Sequence, residues 1–341
     1  MLDARREHVI NALSGPIFGS WTTESIIFRR SRSIEALSRE ELYQFSLQIW
    51  DLMSKLVERT PNVRFVSFST DWFEMPFKSL AESLASRPLE ELRLIQTGDI
   101  TQLLGAVCKQ IRRIPTLKHL YLQYSGQGSA YTNFIPPSEL EEGSPGPSLE
   151  KVTLKIGSAS STSLKYINWL TRPRENGFQL KELALDLSGS YYNERHCIEA
   201  LEPCFSTLPA LCITVSGLSE GVLERVLEKC RALKDLSMII RHSFDNSMSE
   251  IPRTIERLCI SLSFEHMDWS LWSSRMHEFL EHRAPPRLRH LEMRMVAYCD
   301  IDGTYDPFRE PRAIAKQKGI DVVITFHSAG CASLRPFASF Y

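Results

Sequence analysis

The stretch Pro115–Gln123, PTLKHLYLQ, decides how the rest of the chain is read. Apolar side chains fall at Leu117, Leu120 and Leu122, with Lys118, His119, Tyr121 and Gln123 filling the gaps. The spacing i, i+3, i+5 recurs outward in both directions. Upstream it appears as Leu89/Leu92/Leu94 and Val63/Val66/Phe68. Downstream come Leu149/Val152/Leu154, Leu180/Leu183/Leu185, Leu208/Leu211/Ile213, Leu233/Leu236/Met238, Ile255/Leu258/Ile260 and Leu288/Leu291/Met293. First members are 22 to 33 residues apart, and a fixed figure at such a period is the mark of a repeat architecture.

Such a triad arises by chance at about one start position in thirty, so its surroundings carry the reading. Pro61, Pro115, Pro147 and Pro286 each stand two residues before a first member, Pro88 one before and Pro252 three before. Proline fixes φ and cannot donate to a ladder, so it is expected where a strand begins. Helix-like stretches separate the triads: Phe77–Ser86, Ile100–Arg113, Ser163–Thr171, Glu194–Phe205, Glu220–Cys230 and Leu271–His282. Strand and helix alternating at this regularity predict βα units and a parallel sheet. On each strand the second and third triad members point to one side and pack on helices, and no unit can bury that side alone.

Residues 1–60 are expected to form an N-terminal capping segment. Ser25–Phe28 reads as a short strand, and Ser38-x-x-Glu41 opens an amphipathic helix over 39–59. The repeats span 61–326. Residues 125–148, SGQGSAYTNFIPPSELEEGSPGPS, interrupt them as an insertion loop. Pro311–Lys318 reads as a short helix, Ile320–Phe326 as a closing strand, and 327–341 as a C-terminal tail.

Composition narrows the partners. Lys plus Arg is 40 against 41 for Asp plus Glu, so no strong net field favours nucleic acid or an acidic membrane. The eight cysteines form no CxxC pair, and no Asn-x-Ser/Thr sequon occurs. That pattern suits reduced thiols in an intracellular protein, cytoplasmic or nuclear. MLDARREH lacks a signal-peptide apolar core, and no apolar run approaches the roughly 20 residues of a membrane helix.

The figure in Leu89-Glu-Glu-Leu92-Arg-Leu94 and Leu117-Lys-His-Leu120-Tyr-Leu122 resembles a leucine-rich repeat. Its proline habit and irregular period resemble the repeat region of fungal F-box/leucine-rich-repeat-like proteins. The resemblance covers about residues 60–295. It implies an α/β leucine-rich-repeat solenoid of nine to ten repeats, with a curved parallel sheet on the concave side and irregular helices on the convex side. It also implies a non-catalytic protein-binding module, a substrate-recognition component of a ubiquitin ligase. One departure stands out. The family places Asn or Cys three residues after the third Leu, whereas this chain has Asp71, Thr97, Ser125, Gly157, Ser188, Ser216, Arg241, Ser263 and Val296. Hydroxyls bond a turn backbone more weakly, which predicts an uneven arc. An F-box ahead of the repeats would hold a cullin-type ligase adaptor. Only Ala12-Leu13-Ser14-x-Pro16 resembles its tail; the opening Leu-Pro segment and the tail tryptophans are absent.

Catalytic motifs are sparse. Asp300-Ile-Asp302-Gly303-Thr304 matches the DxDGT nucleophile figure of haloacid-dehalogenase-like phosphatases, in which the first Asp attacks phosphorus. The 37 residues that follow are too few for the remaining catalytic strands, and a polar turn accounts for the motif. His196-Cys197 with Cys204, and His277 with His282, lack four ligands at zinc spacing. Gly126-x-Gly128 has no third glycine, and Arg29-Arg30-Ser-Arg32 is too short for nucleic acid. No cofactor or metal is expected.

The remaining candidate is the face turned away from the helices, where alternation sets three columns. The first runs Phe65, Glu91, His119, Lys151, Glu182, Ala210, Asp235, Arg257, His290. Ser67, Arg93, Tyr121, Thr153, Ala184, Cys212, Ser237, Cys259 and Glu292 form the second. The third is Ser69, Ile95, Gln123, Lys155, Asp186, Thr214, Ile239, Ser261 and Arg294. Charges of both signs fit protein recognition better than a phosphate track. The expected partner-binding residues are Arg93, His119, Tyr121, Lys151, Lys155, Glu182, Asp186, Arg257, His290, Glu292 and Arg294.

Overall fold

The computed structural model describes residues 24–29, 51, 53–70, 77–96, 104–105, 107–108, 110–124, 145–156, 161–174, 177–187, 194–214, 218, 221–240, 251–263, 269–297 and 308–328. The chain divides into two compact units, residues 1–178 and 179–341.

In the first unit five parallel strands lie side by side in chain order: β1 (Ser25–Arg29), β2 (Phe65–Thr70), β3 (Glu91–Gln96), β4 (His119–Tyr124) and β5 (Lys151–Ile156). Helix α1 (Phe77–Ala85) links β2 to β3, and α2 (Ser161–Thr171) follows β5. A helical stretch ending in the 3-10 turn Ile111–Arg113 links β3 to β4. Ahead of β2, residues 53–59 are helical; the capping box Ser38/Glu41 and residues 39–50 of the expected helix lie outside the described residues.

The second unit repeats the plan with six parallel strands in chain order. They are β6 (Glu182–Asp186), β7 (Ala210–Thr214), β8 (Asp235–Ile240), β9 (Arg257–Ser263), β10 (His290–Ala297) and β11 (Asp321–Ser328). The connecting helices are α3 (Glu194–Phe205), α4 (Val222–Lys229), α5 (Trp269–Glu278) with a π-helical turn Phe279–Arg283, and α6 (Arg309–Gln317).

The triads are the core. None of their side chains is more than 5% exposed, and Leu92, Leu120, Val152, Leu183, Leu258 and Leu291 are at 0%. Against them the helices contribute Leu80 and Leu84, Ile167 and Leu170, Leu201 and Phe205, Val226 and Leu227. Each such aliphatic side chain contributes about 1.5–3 kcal/mol by leaving water. The two polar gaps of each triad fall where the period-2 pleat turns them to the other side.

The first triad member is held by a tight turn. Its backbone N–H closes onto the carbonyl three residues earlier in Val63→Thr60, Leu117→Ile114, Leu233→Cys230, Ile255→Pro252 and Leu288→Pro285. Pro61, Pro115 and Pro286 thus sit at the second position of a β-turn, where a φ preset near −65° is wanted. They belong to the turn that leads into the strand. The strands then start from a shared device: one carbonyl accepts two successive N–H groups of the next strand. Glu90 takes Lys118 and His119, Lys118 takes Glu150 and Lys151, and Glu256 takes Arg289 and His290.

Two positions differ from the turn expected after the third Leu. Ser263 and Val296 lie inside β9 and β10, which run on for 7 and 8 residues. With no Asn to bond the backbone and a β-branched Val in place, the ladder simply continues. The other seven such positions, the 125–144 part of the insertion, and Asp300 and Asp302 lie outside the described residues. The closing strand is present as β11, set by a helix-ending motif. Gly319, at φ 70°, donates to Lys316 O, and Ile320 donates to Ala315 O.

Candidate functional site

On the helix-free side of the first unit, register alone puts the candidate residues together. Phe65, Glu91, His119 and Lys151 are successive Cα partners; so are Ser67, Arg93, Tyr121 and Thr153. Two interlocked clusters result. The Arg93 guanidinium carbon lies 5.0 Å from the Phe65 ring centroid and 5.5 Å from that of Tyr121, so a flat cation is held by rings on both neighbouring strands. Its Nε donates to Glu91 Oε1. Glu91 also meets His119, whose Nδ1 lies 3.4 Å from Oε1, while His119 Nε2 lies 2.9 Å from Thr153 Oγ1. With a proton on Nδ1 the ring donates to Glu91 while Nε2 meets the Thr153 hydroxyl, so both nitrogens have a partner. Tyr121 donates to Gln123 Oε1 at 2.7 Å.

Burial would push the Glu91 carboxyl up. Hydrogen bonds from His119 and Arg93, with their charges, outweigh it and hold the group below its ordinary value. Tyr121 is only 3% exposed, so the edge and face left by the Arg93 stack are largely covered. Lys151 and Lys155 continue the first and third columns on β5, both half-buried.

In the second unit the same columns carry ion pairs. Arg257 grips Asp235 on the adjacent strand with two bonds of 2.6 Å. Arg294 holds Glu292 two residues away on its own strand at 2.7 and 2.9 Å. His290 Nδ1 lies 3.0 Å from Asp321 Oδ2. The Arg294 hydrogen bond keeps Glu292 below the usual carboxylate range, and Asp235 raises Arg257 further. Glu182 and Asp186 stand on β6, half-buried and buried respectively. Between the pairs stands Cys259, the half-buried thiol of the middle column, with Ser237 as its Cα partner on β8.

All eleven expected residues therefore lie on the helix-free side of their unit, but two of them are closed to solvent. Tyr121 and Asp186 are buried, as are their column mates Thr153, Cys212, Thr214 and Ser261. The charged members for which partners are described mostly bind one another. The partners Glu91, Phe65, Asp235 and Asp321 were missed as functional residues. Strand register was the available signal, because Glu91 and Asp321 fall opposite His119 and His290.

The other candidates fall apart. Cys197 and Cys204 are buried in α3 while His196 is exposed. His277 and His282 both approach Glu281 Oε2, at 3.1 and 3.5 Å, on the exposed end of α5. Among the described residues no group of three or more His, Cys, Asp or Glu is arranged to hold a metal ion. No helix of the described residues is long and apolar enough to cross a membrane.

Buried i, i+3, i+5 triads, parallel strands in chain order and intervening helices define a leucine-rich-repeat fold. Among solved structures the chain is similar to the leucine-rich repeat-containing protein LegL7 from Legionella pneumophila, with a TM-score of 0.53 over 90% of this chain and 91% of that one. The two are 12% identical, so the likeness is one of fold. No family model and no curated protein matches the sequence.

Proposed function

We propose that the chain is a non-catalytic protein-binding module whose partner lies against the helix-free side of the sheet. The observation that carries this reading is the lateral clamping of Arg93 by Phe65, Tyr121 and Glu91. A rigid, half-buried cluster of two aromatics and an arginine is the composition of a binding hot spot, because little side-chain entropy is left to lose on contact. Self-paired charges around it fix orientation and reject mismatched partners more than they add affinity. The leucine-rich-repeat fold supports the same class of function, since the sheet side offers a broad set of parallel columns.

The finer reading, a substrate-recognition component of a cullin-type ubiquitin ligase inside the cell, rests on the sequence resemblance alone. Recovery of a cullin adaptor with the full chain supports it.

The test is affinity purification with cross-linking, run in parallel on wild type, Arg93→Ala/Tyr121→Ala and Asp235→Ala/Arg257→Ala. A partner lost from a folded variant and cross-linked to β3 or β4 supports the proposal. A partner retained by both variants places recognition elsewhere.

A further inference from the structure

Strand β11 ends the second sheet in an unusual state. Every triad side chain on the earlier strands is at most 5% exposed, yet the matching positions on β11, Val322 and Ile324, are only half-buried. Among the described residues no strand pairs with its outer edge. The edge is also long and undefended. It runs eight residues, DVVITFHS, with no proline, no lysine and no bulge, and Val323 on the helix-free side is 38% exposed. Natural edges of that kind are normally blunted, because unpaired N–H and C=O groups are a template for another strand.

The hydrogen bonding says which groups are available. Asp321 N donates to Arg289 O, so Asp321, Val323 and Thr325 turn their backbone toward β10. Val322, Ile324 and Phe326 therefore turn theirs outward. Antiparallel pairing needs alternate outward residues opposite each other with side chains matched face to face. A two-fold axis at Ile324, perpendicular to the sheet, meets both conditions. It sets Ile324 against Ile324 of a second copy and Val323 against Thr325, with backbone positions 322 and 326 opposed. The strand can thus pair with a second copy of itself with side chains on matching faces.

We infer that β11 is a self-association edge: two copies of this chain pair antiparallel through Val322–Phe326, joining their second-unit sheets and covering Val322 and Ile324. The contact is isologous and closes at two. It is independent of the partner proposed above.

The full chain is tested by sedimentation velocity across a concentration series, with amide exchange. The expected species has twice the 39.1 kDa chain mass, and the Ile324 amide is protected only in that species. Val322→Pro removes an outward N–H without breaking a bond to β10, and Val323→Lys places a charge on the edge from the open side. Both should shift the dimer to monomer by at least tenfold in Kd while the melting temperature of the monomer stays close to wild type. A chain that is monomeric at every concentration overturns the inference. So does a polymer, which would indicate head-to-tail growth from β11 to β1, or a dimer that neither folded variant weakens.

Discussion

Arg93 and Tyr121 are Cα partners across β3 and β4, with the guanidinium carbon 5.5 Å from the ring centroid. Phe65 supports the other side of the same cation at 5.0 Å. Planarity is what the site uses, so Arg93→Lys should fail as a conservative change. Each cation–π contact contributes about 0.5–2 kcal/mol depending on solvation, and the Glu91 bond adds to it. Arg93→Lys should destabilise the first unit by about 1–2 kcal/mol in urea unfolding, close to Arg93→Ala. A lysine variant as stable as wild type would show that charge alone matters.

Glu91 and Glu292 should control the acid limb of stability. Both carboxyls are held below their ordinary value in the folded chain. A depressed folded pKa contributes stability above the unfolded value, about 4.3, and loses it as pH falls through the folded value. Unfolding free energy should therefore drop below about pH 4.5, and Glu91→Gln should flatten that limb while costing stability at pH 7. Denaturant titrations at pH 3, 4, 5 and 7 read it; an unchanged slope in Glu91→Gln/Glu292→Gln would assign acid sensitivity to other carboxylates.

Burial ranks the triads against the edge strand. Leu120 and Leu258 are at 0% exposure, whereas Ile324 is half-buried. Leu120→Ala and Leu258→Ala should each cost about 2–5 kcal/mol, and Ile324→Ala should fall at or below the low end of that range. Thermal and urea unfolding of the three variants check the order. Equal losses would mean that β11 is covered as fully as the inner strands.

Much of this fold was legible because one requirement repeats. Leu117, Leu120 and Leu122 state it once, and the other triads restate it with the same turn ahead, so strand positions and the buried side followed from periodicity. The site was legible only to the level of columns. His119 and Arg93 could be placed on the open side from alternation. That Glu91 joins them, and that Phe65 and Tyr121 enclose the guanidinium, depends on a register with no local signature in any one strand. Burial was the other blind spot. Asp186 and Tyr121 look exposed by type, yet both are buried.

Cysteine reactivity offers a map of the two faces. Cys108 is fully buried and its thiol is raised well above its ordinary value by desolvation; burial likewise pushes Cys197 and Cys230 up to about 12. At pH 8 a thiol of pKa 12 is about one part in ten thousand thiolate, and thiolate is what alkylates. Cys259 is half-buried on the helix-free side of β9; burial raises it too, but the charge of Arg294 opposes that shift. Iodoacetamide at pH 8 followed by peptide mass spectrometry should modify Cys259 before Cys108, Cys197 and Cys230. A bound partner on that side should slow Cys259 while leaving the other three at their unfolding-limited rates. Modification of Cys108 at the Cys259 rate would mean that the first-unit core opens far more often than its packing allows.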